Sequence, residues 1–118
     1  MIKVTIKNDS EQRRLHLSAI GHAGYAPMGE DIVCAAASIL ATTVAQIVKA
    51  MEAHDDLEEE PIIKLVEGNA VVSCKVKNKA VYAEALHTYF VAEVGYRLLA
   101  HSYPEYVSLI TIGEPFEA

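Results

Sequence analysis

His22 and Cys34 are the two side chains whose types and spacing suit covalent chemistry; both lie in GHAGYAPMGEDIVCAAAS, residues 21–38. A thiol attacks as thiolate, and a free cysteine with a pKa of about 8.5 is mostly protonated at neutral pH. Two features help Cys34. Asp31 is a fitting N-cap, which puts Cys34 in the first turn of a helix. There the unpaired N–H groups and the positive end of the dipole favour a thiolate, and the same groups suit an acyl-transfer oxyanion. The second feature is the glycine-rich loop carrying His22, which at roughly 40 Å extended is long enough to fold back onto the helix start. Nucleophile and base then come from one strand–loop–helix unit. Glu30 and Asp31 act in the other direction, since negative charge disfavours a thiolate, so an adjacent imidazolium is required.

Other chemistries compete for the same residues. A cysteine among alanines on an apolar helix is commonly a small buried hydrophobe. Cys74 fits that description, in a strand with no histidine close by in sequence. A metal site would draw on Cys34, Cys74, His16, His22 and Asp31, but no C-x-x-C or H-x₃-H spacing gathers them, and no metal is expected. A phosphate loop at this helix start lacks the usual lysine and carries acids instead.

The surrounding elements follow from periodicity. Residues 2–7 alternate apolar and polar, 8–11 are turn-forming, and 13–20 resume the alternation, which predicts an opening hairpin. Gly21, Gly24, Pro27 and Gly29 punctuate the loop, and a helix runs from the Asp31 cap to about Ala53. Its apolar residues fall on nearly every side, so it is expected at the centre of the fold. The acidic run 54–60 reads as a solvated loop. Strands 61–66 and 70–76 flank a Glu67-Gly68-Asn69 turn; a second helix spans Lys77 to about His101, and 106–112 form a last strand. The order β-β-α-β-β-α-β describes a single α+β domain over residues 1–118, with a mostly antiparallel sheet of four to five strands and two helices. Tyr82, Tyr89, Tyr96 and Tyr103 recur every seven residues, as a core stripe or as a partner surface for a second copy or a peptide.

Composition narrows the function classes. The chain has 118 residues, 52% hydrophobic and 22% charged, enough for a packed core. Its net charge of −6 argues against direct nucleic-acid binding and favours a basic partner such as a Lys/Arg-rich peptide. Residues 32–48 are uncharged but Ala/Ser/Thr-rich, and read as a buried helix rather than a membrane span. Two cysteines without a secretory signal point to free thiols in a reducing cytoplasm.

Gly21-His22-Ala23, a short loop, Gly29, then Asp31-Ile32-Val33-Cys34-Ala35-Ala36 and Ser38 together resemble the ribosomal-processing cysteine protease family (Prp) of bacteria. The resemblance implies a small homodimeric enzyme without cofactor. Its implied partner is the N-terminal peptide of a ribosomal protein precursor, the twenty-seventh of the large subunit, from which it removes a short extension. It makes Cys34 the nucleophile and His22 the general base. Asp31 and Ser38 match the motif's other polar positions as supporting residues. Gly21, Ala23, Gly24, Tyr25 and Gly29 are the candidate substrate loop; its centre, Tyr25-Ala26-Pro27-Met28, is not part of the motif and is open between touching substrate and acting as a lid. The alternative is a non-catalytic ribosome-assembly or protein-interaction module with the same fold.

Overall fold

The computed structural model describes residues 1–27 and 29–115; Met28 lies outside the described residues. Seven elements occur in the expected order: β1 (Ile2–Asp9), β2 (Arg14–Ile20), α1 (Ile32–Ala53), β3 (Ile62–Val66), β4 (Asn69–Lys75), α2 (Lys79–Ser102) and β5 (Val107–Ile112). The five strands form one sheet in the order β3-β4-β2-β1-β5. Every pairing is antiparallel except β1 with β5, where Val4 lies opposite Leu109.

Strand alternation decides which face is covered. Ile2, Val4 and Ile6 of β1, Leu15, Leu17 and Ala19 of β2, and Val72 and Cys74 of β4 are buried. Their neighbours Lys3, Lys7 and Arg14 are exposed. Period-two patterning thus gives the sheet one apolar face, on which both helices pack. Leu17 is fully buried, and cutting such a leucine to alanine costs about 2–5 kcal/mol.

The tyrosine stripe faces inward. Tyr82, Tyr89 and Tyr96 of α2 are buried, and two of their hydroxyls donate within the core. Tyr89 bonds the Val72 carbonyl at 2.9 Å, and Tyr96 bonds the Ala37 carbonyl of α1 at 2.7 Å. Those bonds satisfy groups that would otherwise be costly to bury. Tyr103 has left the helix as its C-cap and does not continue the stripe.

Three expectations change. α1 is not enclosed: Val33, Ala37, Ala41, Val44, Ala45 and Val48 form its buried stripe, while Ile32, Ile39 and Ile47 are exposed. A sheet with a single helical layer leaves each helix an outer face, and all-round apolarity does not alter that. By length and composition α1 could cross a membrane, but its stripe is part of the core. α2 begins at Lys79 rather than Lys77, because Asn78 is the cap and its Oδ1 accepts from Val81 N at 3.0 Å. The acidic run is stitched to the sheet rather than simply solvated. Glu58 pairs with Arg13 at 2.6 Å, Glu59 with Arg14 at 2.7 Å and Asp55 with Lys77 at 2.7 Å. Leu57, within the run, is buried and bridges to Val76.

Candidate active site

The site is assembled where β2 ends and α1 begins. Asp31 caps α1 in an extended conformation. Its Oδ1 accepts from the backbone N–H of Val33 at 3.0 Å and of Cys34 at 2.9 Å. Its Oδ2 accepts from Tyr25 N at 3.1 Å and Ala26 N at 3.4 Å. One carboxylate therefore ties the loop to the helix start. Desolvation opposes its ionisation, but the N–H bonds from Cys34, Ala26 and Tyr25 outweigh that and hold its pKa below the ordinary value.

On the other side, β2 delivers His22 through Gly21. The Gly21 N–H donates to the Gly68 carbonyl at 2.9 Å, so the chain is still tied to the β3–β4 turn one residue before the histidine. Gly21 has φ +107, and a Cβ there would lie 2.4 Å from the Met1 carbonyl oxygen, so only glycine fits. The next link joins the loop to α1: Ala23 N–H donates to Cys34 Sγ at 3.3 Å.

His22 and Cys34 line one cleft of about 640 Å³, together with Asp31, Ser38 and the Glu67–Asn69 segment. His22 is exposed and Cys34 half-buried, so the thiol is reachable. Ser38, a helical turn beyond Cys34, is exposed in the cleft. Gly21, Gly24 and Gly29 also line it. Ala23 and Tyr25 do not: Ala23 is buried, and Tyr25 packs edge-on against Tyr103 and Tyr106, with ring centroids 5.4 and 5.3 Å away. Cys74 is away from the cleft, buried beside the Tyr89 hydroxyl. Among the described residues no group of three His, Cys, Asp or Glu is placed to hold a metal ion.

Two features differ from what the sequence suggests. The helix-start N–H groups are engaged: Val33 and Cys34 donate to the Asp31 side chain and Ala35 N to the Asp31 carbonyl at 3.1 Å. They do not stand free for an oxyanion. The other wall of the cleft is the β3–β4 turn, which the sequence marks only as a hairpin. Pairing of Ile20 with Asn69 brings it beside His22, and no local pattern reports a register between distant strands. Within that turn the Asn69 Oδ1 is buried with no hydrogen-bond partner among the described residues.

The geometry is that of a thiol and an imidazole lining one open groove, which suits acyl transfer. Comparisons with known proteins agree. The chain is similar in fold to the ribosomal processing protease Prp from S. aureus carrying a covalently linked product peptide. The TM-score is 0.68 at 24% identity, covering 94% of this chain and 99% of that one. The same S. aureus protease with a substrate peptide matches with a TM-score of 0.65 at 21% identity, over 94% and 99% of the two chains. A protein from Streptococcus mutans matches with a TM-score of 0.65 at 25% identity, over 97% and 96%. No curated protein matches the sequence. The family model described as cysteine protease Prp matches residues 1–108, and this chain belongs to that family.

Proposed function

We propose that the protein is a ribosomal-processing endopeptidase that removes a short N-terminal extension from a large-subunit ribosomal protein, the twenty-seventh, with Cys34 as nucleophile and His22 as general base. The observation that carries this reading is the shared cleft: the half-buried Cys34 thiol and the exposed His22 imidazole line it together. The related S. aureus protease holds peptides in both of its structures, so an extended peptide is the fitting occupant.

In this mechanism His22 takes the Cys34 proton and the thiolate attacks the scissile carbonyl carbon, forming a C–S bond and a tetrahedral oxyanion. Collapse breaks the C–N bond, and His22 returns the proton to the leaving amine. Water, deprotonated by His22, then attacks the thioester carbonyl; the C–S bond breaks, the new carboxylate leaves, and His22 returns the proton to the Cys34 sulfur. With the Val33 and Cys34 N–H groups bound to Asp31, Ser38 is the side-chain donor we assign to the oxyanion, from its place one turn along the cleft. A homodimer working in a reducing cytoplasm completes the reading.

The test is cleavage of a peptide spanning the extension junction. Cys34→Ala and His22→Ala should each abolish it while far-UV circular dichroism stays that of the natural protein. Normal cleavage by Cys34→Ala would end the proposal. Ser38→Ala should lower kcat by about 10²-fold, the usual effect of losing one oxyanion donor. An unchanged kcat would remove Ser38 from that role alone.

A further inference from the structure

The Glu67–Asn69 turn reaches the cleft from a part of the chain that the reaction scheme does not use. Gly68 lines the cleft beside His22. A Cβ at Gly68 would lie 2.7 Å from His22 Nε2, 3.0 Å from Cε1 and 3.5 Å from Cδ2. The first of these is closer than real Cβ atoms come to a neighbour, so the imidazole occupies the space that any side chain at position 68 would need. Gly68 also has φ +73, a left-handed backbone that glycine adopts without strain. Its carbonyl accepts from Gly21 N at 2.9 Å, so the turn is fastened to the residue before His22.

The geometry points to Gly68 as a positioning residue for His22: the bare turn is the seat against which the imidazole rests, and the missing side chain sets the ring's place in the cleft. The hairpin thereby joins the catalytic unit although its sequence shows only turn chemistry. Three constraints then define the ring. β2 brings its backbone, the Gly21–Gly68 bond fixes the approach, and the Gly68 backbone limits the ring on its Nε2 side. This inference rests on the reading of His22 as general base. A ring displaced by about 1 Å costs up to 10²-fold in a positioned reaction.

Two variants separate the absence of a side chain from the backbone angle. Gly68→Ala adds a Cβ and also strains the left-handed backbone. Gly68→Asn adds the same Cβ, but asparagine tolerates φ above zero, so it removes much of that strain. Two quantities would be measured. One is the set of His22 imidazole ¹H and ¹⁵N signals by NMR, which needs no activity; the other is the split between kcat and KM on the junction peptide. Val72→Ala, a core truncation away from the cleft, serves as a comparator for lost stability. Both Gly68 variants should move the His22 ring signals and lower kcat by about 10- to 100-fold with KM nearly kept. Val72→Ala should lower the melting temperature and move neither. If Gly68→Asn matches the natural protein in ring signals and kcat, the glycine serves only the turn and the inference is overturned. Unmoved signals in both variants overturn it equally. Should the natural protein cleave no junction peptide, the proteolytic reading fails, while the ring signals still decide whether Gly68 seats His22.

Discussion

Asp31 holds the backbone of Cys34: its Oδ1 accepts the Cys34 N–H at 2.9 Å while its Oδ2 takes the N–H groups of Tyr25 and Ala26. Asp31 is thus a mechanical joint, with the helix that carries Cys34 on one oxygen and the histidine-bearing loop on the other. The two functions can be separated by substitution. Asparagine keeps one acceptor oxygen and can still cap α1, whereas its amide nitrogen cannot accept from Tyr25 or Ala26. Asp31→Asn should therefore melt close to the natural protein yet lose protection of the Tyr25 and Ala26 amides in hydrogen exchange. Asp31→Ala should lose both the cap and the loop tie and melt lower. Equal melting temperatures for the two variants would show that the cap contributes nothing.

The same carboxylate predicts a pH dependence of stability. Its folded pKa is depressed below the ordinary 3.8 because the N–H bonds outweigh desolvation. A depressed carboxylate contributes stability that is fully present above the unfolded value and is lost as pH falls through the folded one. Glu58 behaves alike: the hydrogen bond from Arg13 leads, desolvation opposes, and Lys75 and Arg13 charges add, with its pKa held below 4.5. The contribution of these two carboxylates to thermal stability should be level above about pH 5 and fall below pH 4. In Asp31→Asn that acid limb should be shallower; an identical limb would exclude Asp31 as a contributor.

The two thiols should differ in reactivity. Cys74 is buried under the helices, and desolvation raises its pKa despite the weak hydrogen bond with Tyr89. A raised pKa and a closed environment both slow alkylation, which needs the thiolate. Cys34 opens onto the cleft and receives the Ala23 N–H at its sulfur. Iodoacetamide at neutral pH should label Cys34 in the folded protein and reach Cys74 only in denaturant, as read by mass spectrometry of peptides. Equal labelling of both under native conditions would mean that the cleft gives Cys34 no advantage.

Much of this site is legible in the sequence because its parts are local. An aspartate ahead of an apolar run marks a helix start, and glycines between His22 and Cys34 mark a loop able to return. The period of seven in α2 shows that Tyr82, Tyr89 and Tyr96 share a side, but not that the side faces the core. That depends on which layer α2 joins. Gly68 was out of reach for a stronger reason: its contact with His22 exists only through the β2–β4 register that sets Ile20 against Asn69. The acidic run shows the same limit, since Glu58 meets Arg13 only after the sheet has formed.

The outer face of the helices carries the last prediction. Ile39 of α1 is 62% exposed and Leu98 of α2 is 64% exposed. They flank a shallow groove of about 340 Å³, also lined by Ala36, Leu40, Gly95 and Leu99. The helices meet closely below it, since a Cβ at Gly95 would lie 2.7 Å from Leu40 Cδ2. An apolar surface of this kind on a small acidic protein suits a two-fold contact, in which the same patch serves both copies and each leucine counts twice. Burying one leucine is worth about 1.5–3 kcal/mol. The proposed homodimer predicts a single sedimenting species of twice the chain mass at micromolar concentration, and a Leu98→Glu protein that sediments as monomer without a change in far-UV circular dichroism. A natural protein that sediments as monomer would remove the homodimer from the proposed function. A Leu98→Glu protein that still sediments as dimer would move the interface off this face.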